Sequence, residues 1–397
     1  MTSLSHAAVP EAPPRLPVQW AVAGLGLLGF LAGGLLLGAG GWKLGVLFAV
    51  GWLLGISLYH AAFGFTSAYR NAIVRRDISG VTAQLLMLAA ASALFAPILA
   101  EGRVFGHGVV GAVAPLGVQL AVGSFLFGVG MQLGGGCGSG TLFTLGGGNT
   151  RMAVTLAAFC AGAFWGSLQL GWWAKLPRLS SVSLGREFGW PLGLLMQFAF
   201  LALIYLALRR WAGRAPQRPL WEPGFRLQHL PRGPWPLLLS AGLLALLNWA
   251  TLLIAGHPWS ITWGFTLWAA KAAAAAGWDP ATSGFWTGGF QEAALARSVF
   301  LDTTSVMDFG IMLGALLAAG MAGRFKPTAR IGLRPLAAAV AGGLLLGYGA
   351  RLAYGCNIGA FFGGVASTSL HGWMWIALAL PGNWLGIKLR PWFGMGD

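Results

Sequence analysis

The chain has 397 residues, of which 56% are hydrophobic and 9% charged, and its formal net charge is +15. A soluble domain carries about 25% charged residues, so this composition excludes an ordinary soluble protein. The mean hydropathy is +0.70, and several uncharged runs approach the ~20 residues that a membrane helix needs. The sequence therefore predicts an all-α, polytopic membrane protein.

Residues 1–17 form a polar, proline-containing arm in which Arg15 is the one basic residue. A cleavable signal peptide has a basic start, a shorter apolar core and a small-residue cleavage site. Because the arm lacks these features, we expect the first apolar run to be a retained helix.

The apolar runs continue to the end of the chain, with loops between them. We predict membrane spans at about 18–41, 43–63, 81–100, 108–132, 152–173, 190–208, 235–256, 258–276, 305–323, 336–353 and 369–388.

Short basic segments separate several of these runs, notably 70–77 and 209–233. Such segments usually lie in the cytoplasm, so we predict a cytoplasmic N-terminus and place 101–107 and 174–188 on the outer side. The stretch 277–304 is predicted to be an interfacial amphipathic helix or a re-entrant segment, on a side that the charges leave open.

The positive charge has two interpretations, binding of nucleic acid or membrane topology with attraction to anionic lipid. Because the basic residues cluster between apolar spans, we favour lipid as the partner and expect no nucleic acid. The 20 tryptophans are interpreted as interfacial anchors.

Cysteine and histidine are too few and too scattered for a metal centre. The three cysteines, Cys137, Cys160 and Cys356, cannot form a disulfide framework, and they lack zinc-ligand spacing with the six histidines. The chain also lacks a Walker-type loop, a paired-histidine haem pattern and a flavin fingerprint. We therefore expect no metal and no cofactor.

An internal repeat is the most informative feature of the sequence. Residues 123–143 align with 342–362 at a shift of 219 residues, and two cysteines fall in register. The identical pairs are Gly123/Gly342, Leu126/Leu345, Gly128/Gly347, Gly130/Gly349, Leu133/Leu352, Gly136/Gly355, Cys137/Cys356, Gly140/Gly359 and Phe143/Phe362. A weaker similarity joins "GFTSAYR" (64–70) to "GFTLWAAK" (264–271).

The repeat predicts four regions along the chain. These are a cytoplasmic arm (1–17), a first transmembrane repeat (18–208), a basic cytoplasmic linker (209–234) and a second transmembrane repeat (235–390). Repeated halves are common in transporters, whose substrate binds where discontinuous helices of the two halves meet. The sequence leaves open whether the halves are parallel or inverted.

Each repeated cysteine lies in a glycine-rich loop before a short apolar run, "TLFTL" or "AFFGG", that can form a half-helix. Glycine permits a positive φ and a close approach to a ligand. The candidate binding glycines are Gly136, Gly138, Gly140, Gly355 and Gly359. Half-helices that begin there would direct backbone N–H groups at an anion, so we predict re-entrant or broken helices at both loops.

The thiols of Cys137 and Cys356 suit a soft sulfur atom, because S–H is a weak and polarizable donor. Burial disfavours the thiolate, and a neutral thiol does not repel an anion. Two other interpretations remain open, namely close helix packing by small residues and a redox pair. Cys160 has no counterpart in the repeat and is assigned to core packing.

Other polar residues in apolar surroundings are functional candidates by default. Arg351 precedes Cys356 by five residues, and it either supplies positive potential for a dianion or extends to the interface. Asn357 is polar enough to line a path. Three further cases are expected to be structural: Lys271, Asp308 and the pair Glu292/Arg297.

The motifs "GGGCGSGTL" and "ARLAYGCNIGAFFGGVASTSLHGW" resemble the YeeE/YedE family of sulfur-transport membrane proteins, and the resemblance runs from about 45 to 388. It implies uptake of thiosulfate through the bacterial inner membrane, with Cys137 and Cys356 relaying the ion through a narrow waist. Some relatives are associated with selenium metabolism instead. Family members often carry a further cysteine where this chain has Thr66 and Ser67, so Thr66 is a candidate binding residue and a related oxyanion stays possible.

From these residues and this resemblance the chain is expected to be a transporter of thiosulfate or a closely related sulfur anion, and not an enzyme. The alternatives are transport of sulfite or selenite and, less favoured, a membrane thiol oxidoreductase. No small sulfur-carrier domain follows residue 390, so a cytosolic acceptor would be a separate protein.

Overall fold

A computed structural model describes residues 16–328 and 330–396, and the predicted arm at 1–17 lies almost wholly outside them. The described chain is built from helices of very different lengths. They are α1 (Trp20–Ala39), α2 (Trp42–His60), α3 (Phe65–Arg75), α4 (Ser79–Glu101), α5 (Val118–Gly134), α6 (Gly138–Gly146), α7 (Arg151–Trp173), α8 (Leu184–Phe188), α9 (Trp190–Ala212), α10 (Leu237–Ala255), α11 (Thr262–Ala275), α12 (Gly289–Ala296), α13 (Thr303–Met321), α14 (Leu333–Leu352), α15 (Gly363–Ala366) and α16 (Leu370–Leu389).

The remaining regular structure is short. A π-helical turn, Asn357–Phe362, leads directly into α15. Two antiparallel two-stranded sheets pair β1 (Arg103–Val104) with β2 (His107–Gly108) and β3 (Leu116–Gly117) with β4 (Arg178–Leu179).

Nine stretches of the described chain are helical, long enough and apolar enough to cross a membrane. This confirms the predicted all-α, multi-pass membrane protein. Two predicted spans, 258–276 and 369–388, are not among the nine. The first contains only α11, whose 14 residues extend about 21 Å, short of the ~30 Å hydrocarbon core. The second contains α16, which is 20 residues long but carries His371, Asn383 and Lys388.

The span predicted at 108–132 begins too early. The helix there starts at Val118, because residues 109–117 form an irregular connection that ends in β3. Val110 N donates to the carbonyl oxygen of Gly256 at 2.8 Å, so this connection binds the loop after α10 rather than entering a helix.

Glycines bring α5 and α14 into backbone contact, and the contacts show that the two helices run antiparallel. A Cβ atom added to Gly123, near the start of α5, would lie 2.7 Å from Leu352 Cβ at the end of α14. One added to Gly342, at the middle of α14, would lie 2.1 Å from the amide nitrogen of Gly134 at the end of α5. Small residues permit this close approach in membranes.

Two further helices pack in an equivalent way against this pair. On α7, Gly162 and Gly166 contact Leu344 and Arg351 of α14. On α16, at the same spacing of four, Gly382 and Gly386 contact the equivalent α5 residues, which are Phe125 and Gln132. The contacts of α7 with α14 are therefore repeated by those of α16 with α5. Because the equivalent helices α5 and α14 run antiparallel, this favours an inverted arrangement of the predicted halves.

The basic segments gather at one end of the molecule, here called the basic end. There Trp235 N donates to His60 O at 3.0 Å, Ile78 N donates to Gln217 Oε1 at 2.8 Å, and Gln19 N donates to Gly320 O at 2.9 Å. Arg324, four residues after Gly320, lines the same cavity as Arg218 of the linker between α9 and α10, so the start of α1 lies at the same end as that linker.

The opposite end contains the segment 277–302, whose side the sequence leaves open. Trp286 Nε1 donates to Ser167 Oγ at 2.9 Å near the end of α7. That end also holds the loop before α9, since Leu184 N donates to Thr368 O at 2.8 Å.

Candidate functional site

Two short helices begin immediately after a buried cysteine, and the two starts have the same backbone geometry. Cys137 precedes α6 with φ −88° and ψ −164°. Cys356 precedes the π-helical turn with φ −101° and ψ −166°. Because the N–H groups of a first helical turn lack intrahelical acceptors, each start presents backbone donors beside a thiol.

The turn before each cysteine depends on glycine. Gly135 has φ +90° and Gly355 has φ +145°, values that side chains other than glycine rarely adopt. A Cβ added to Gly136 would lie 3.0 Å from the backbone of Gly140 and Thr141. The equivalent atom on Gly355 would lie 2.9 Å from Ala360 N. Both loops therefore fold back tightly on the helix that follows.

The structure brings the two cysteines to one place. A Cβ added to Gly138 would lie 3.0 Å from Cys356 Sγ, which puts the first residue of α6 against the second thiol. Cys137 is 1% exposed and Cys356 is 0% exposed. Both thiols are free, so the site consists of two reduced, enclosed sulfhydryl groups.

Each thiol has a polar neighbour on its own helix. Cys137 Sγ lies 3.4 Å from Ser139 Oγ, and Ile358 N donates to Cys356 Sγ at 3.4 Å. Both contacts join residues two positions apart, so the thiols are oriented by the first turn of the helix that each one precedes.

Asn357 adds an amide to the site. Its Nδ2 donates to the Tyr69 hydroxyl at 3.2 Å, and its Oδ1 is buried without a hydrogen-bond partner among the described residues. Tyr69 belongs to α3, so the contact ties this half-length helix to the second cysteine loop. Buried polar groups are nearly always paired, so an unpaired one inside this site marks a place for a polar ligand or water.

Thr66 lies one turn before Tyr69 on α3. Its Oγ1 is buried and has no partner within the described chain. Its carbonyl oxygen accepts from Gln132 Nε2 at 3.1 Å, and the same nitrogen donates to Asn383 Oδ1 at 2.7 Å. Gln132 Oε1 is also buried and unpaired in the part of the chain that is described. Thr66, Gln132 and Asn383 thus form a group of buried polar side chains between α3, α5 and α16.

The loop before α11 covers both cysteine-led helices. A Cβ on Gly138 would lie 3.3 Å from Ile261 Cγ2, and one on Gly359 would lie 3.6 Å from Ser260 Oγ. Trp259 in the same loop is fully buried, and its Nε1 has no partner among residues 16–328 and 330–396. This loop therefore supplies a further donor near the site.

Arg351 does not point to the cysteine loops. Its Cβ packs against Gly166 of α7, and its guanidinium carbon lies 5.5 Å from the centre of the Phe285 ring. The contacts of this side chain therefore lie on α7 and in the segment 277–302, at the opposite end of the molecule.

A polar cavity of about 260 Å³ opens near the site at the basic end. It is lined by Ser67 and Asn71 of α3, His60 at the end of α2, and Arg218 and Arg324 of the basic segments. Because Thr66 and Tyr69 lie on the same helix as Ser67 and Asn71, α3 connects this cavity with the cysteine cluster.

The sequence did not single out Tyr69, Gln132, Asn383, Trp259 or Ser260. These five residues could have been identified from the sequence only as polar side chains inside apolar stretches. That criterion does not separate them from other such residues, because packing alone brings the five together. Among the described residues, no group of three or more His, Cys, Asp or Glu side chains could hold a metal ion.

Comparison with known proteins gives one family and several relatives. Residues 60–385 match the family model described as "Sulphur transport". The chain is 29% identical to the "Thiosulfate transporter TsuA" of Spirochaeta thermophila, over 84% of this chain and 95% of that protein. It is 23% identical to the protein of the same name from Escherichia coli, over 86% and 94%.

A third relative matches over a shorter length. The "Probable transporter YedE" of Escherichia coli is 32% identical over 158 residues, which is 39% of this chain and 37% of that protein. The chain thus covers little more than a third of this relative, whereas it covers nearly all of the two TsuA proteins.

Proposed function

The chain belongs to the sulphur transport family, and we propose that it takes up thiosulfate through the bacterial inner membrane by way of Cys137 and Cys356. The observation that carries the proposal is the meeting of two buried, free cysteines, each at the start of a short helix. Two relatives that align with most of the chain are named thiosulfate transporters.

The chemistry of the cluster suits an ion with a soft end and a hard end. Thiosulfate has a terminal sulfur atom, which a polarizable S–H group can approach as a weak donor. Its oxygens need stronger donors, and backbone N–H groups at helix starts provide them. The Tyr69 hydroxyl, the Asn357 amide and the Thr66 hydroxyl complete the polar side of the site.

The glycines give the anion its access to the backbone. Gly136 and Gly355 hold the turns, while Gly138, Gly140 and Gly359 leave the first turn of each helix without side chains. We assign these five glycines to binding, together with Asn357 and Thr66. Arg351 contributes at most a long-range potential from the opposite end, because its contacts lie on α7 and at Phe285.

The half-length helices define a route across the membrane. In this proposal α6 and α15 are re-entrant segments of two inverted repeats, 18–208 and 235–390, joined by the linker 209–234. Irregular backbone at membrane depth is tolerated where protein buries it or where it lines a passage. The polar cavity beside α3 then forms the vestibule at the basic end.

The basic end is assigned to the cytoplasm by its charge. The N-terminus then lies in the cytoplasm, and anionic lipid borders the basic segments. A sulfur acceptor, in this proposal, is a separate cytosolic protein that meets the ion at this end.

Uptake of radiolabelled thiosulfate into proteoliposomes tests the proposal directly. Unlabelled thiosulfate should compete fully, and sulfate should compete weakly because it lacks a soft terminal sulfur. Stronger competition by sulfite or selenite than by thiosulfate would reassign the substrate while keeping the transport function. Absence of uptake by folded protein for all of these ions would contradict the proposal.

A further inference from the structure

One buried carboxyl group has no hydrogen-bond partner within the described chain. Asp308 lies on α13, is 0% exposed, and neither of its side-chain oxygens has a hydrogen-bond partner among the described residues. Ser305, one turn earlier, donates instead to Asp302 Oδ2. An ionised carboxylate enclosed in this way is very unfavourable unless it is paired, so in this conformation Asp308 holds a proton.

The surroundings of Asp308 are tightly packed on the side of α11. A Cβ added to Gly264 of α11 would lie 2.8 Å from Asp308 Oδ2. The carboxyl group is thus pressed against the backbone of the helix that follows the site-covering loop with Trp259 and Ser260. This helix also connects Asp308 with the cysteine site. Ile261, three residues before Gly264, lies 3.3 Å from a Cβ added to Gly138, and the same atom would lie 3.0 Å from Cys356 Sγ.

Within the described chain, no cation on the elements packed against α13 forms an ion pair with Asp308. Helices α1 and α6 contain no ionisable side chain. On α11, Lys271 Nζ donates to the carbonyl oxygens of Leu295 and Arg297. On α2, the His60 ring packs against the Trp235 ring at the basic end, with the ring centres 5.3 Å apart. Asp302 caps α13, binding Ser305 and Trp263.

The remaining ionisable groups of α2 are Lys43 and Tyr59, at its two ends. The nearest other ionisable groups are Asp302, six residues earlier on the chain, and the thiols of Cys160 and Cys356. Each of these is neutral or negative, so a proton is the simplest charge partner for Asp308.

We propose that Asp308 takes up and releases the proton that accompanies each transported anion, so that the protein is a proton-coupled symporter. This inference rests on the proposed anion transport. A charged Asp308 repels an anion at Cys356, and a protonated Asp308 does not. Proton binding and anion binding therefore favour each other, and the linkage is reciprocal.

Coupling of the anion to a proton lowers the electrical work of uptake. Each negative charge that moves inward works against a membrane potential that is negative inside. A proton that travels with the anion cancels part of this opposing work. Asp308 is the sixth of the 19 residues of α13. Its neighbour Met307 packs against Gly51 at the middle of α2, so the proton site lies at membrane depth rather than at either surface.

The test uses the full chain in proteoliposomes with the membrane potential clamped at zero. With the outside one pH unit more acidic, a carrier that couples one proton to each anion accumulates labelled thiosulfate about tenfold. Asp308→Asn should abolish this accumulation but retain exchange of internal for external thiosulfate. Glu101→Gln, which changes an exposed carboxylate at the end of α4, should behave like the wild type.

A second measurement does not depend on any variant. A pH-sensitive dye trapped inside wild-type vesicles should record acidification when thiosulfate is added outside. Full accumulation by Asp308→Asn, or wild-type uptake driven by a sodium gradient and indifferent to pH, would overturn the inference and leave thiosulfate transport intact. Failure of wild-type protein to exchange thiosulfate at all would instead overturn the proposed function.

Discussion

The two cysteine loops share a backbone and differ in their side chains. Cys137 and Cys356 have nearly the same φ and ψ and each precedes a short helix. After Cys137 come Gly138 and Ser139, whereas after Cys356 come Asn357 and Ile358. The first helix is a regular α-helix, and the second begins as a π-helical turn. The repeat thus preserves the thiol and its donors while the neighbouring chemistry diverges.

The two loops also differ in their contacts with α3. In the second loop Asn357 reaches Tyr69 of α3, and in the first loop Ser139 reaches only the thiol beside it. The equivalent residues Gln132 and Arg351 differ in the reverse sense, because here the residue of the first repeat, Gln132, binds Thr66 of α3 and Asn383. The polar groups therefore concentrate on the side of α3, which is also the side of the polar cavity.

The largest expected effect tests whether the thiols are equivalent. Cys137→Ala and Cys356→Ala should each lower thiosulfate uptake at least ~10-fold and up to ~100-fold, since a hydrogen bond to a charged group contributes about 1.5–3 kcal/mol. Initial uptake rates at matched protein levels measure this. Cys160→Ala, a half-buried cysteine outside the loops, is the control and should change little. Full uptake by both loop variants would remove the cysteines from the route.

The next effect tests the shared backbone. Gly355→Ala places a side chain at φ +145° and 2.9 Å from Ala360 N, which should destabilise the loop by about 1–3 kcal/mol. Thermal unfolding in detergent should show a lower Tm and reduced uptake. Gly359→Ala is the control for folding, because its added Cβ meets Ser260 Oγ at 3.6 Å. Equal Tm values for the two variants would contradict the account of the turn.

Much of the architecture could be predicted from the sequence because hydrophobic length is a local property. The helices α1, α2, α4 and α7 lie close to their predicted spans. The chain 109–117 is apolar too, yet it forms a connection, because its backbone binds Gly256 rather than itself. Composition alone cannot reveal such a pairing between distant residues.

The candidate site likewise has a part that the sequence could predict and a part that it could not. The register of the repeat pointed to Cys137 and Cys356 together, and the structure places Gly138, the residue after Cys137, against Cys356 Sγ. The contact between Tyr69 and Asn357 joins residues 288 positions apart, and no local pattern specifies it. Arg351 precedes its cysteine by five residues, but the helix directs its side chain toward α7, so proximity in sequence was misleading there.

A smaller effect tests the asymmetry between the loops. Tyr69→Phe removes the hydroxyl that accepts from Asn357 Nδ2 and leaves that amide group unpaired. The expected loss is about 1 kcal/mol, or about fivefold in the KM for thiosulfate. Ser139→Ala in the first loop should change KM less, because the Ser139 hydroxyl makes a longer, 3.4 Å contact with the weakly polar Sγ of Cys137. A larger effect of Ser139→Ala would reverse the proposed direction of the asymmetry.

The smallest effect concerns selectivity on the α3 side. Thr66 offers a hydroxyl that is buried and unpaired within the described chain, which is a harder group than a thiol. Thr66→Cys should shift competition toward thiosulfate over sulfite by about threefold, less than the value of one full hydrogen bond. Ser67→Cys is a matched control, because Ser67 Oγ already donates to Gly64 O at 3.0 Å. If the two variants have the same selectivity, Thr66 does not contact the ion, and the polar side of the site is limited to Tyr69 and Asn357.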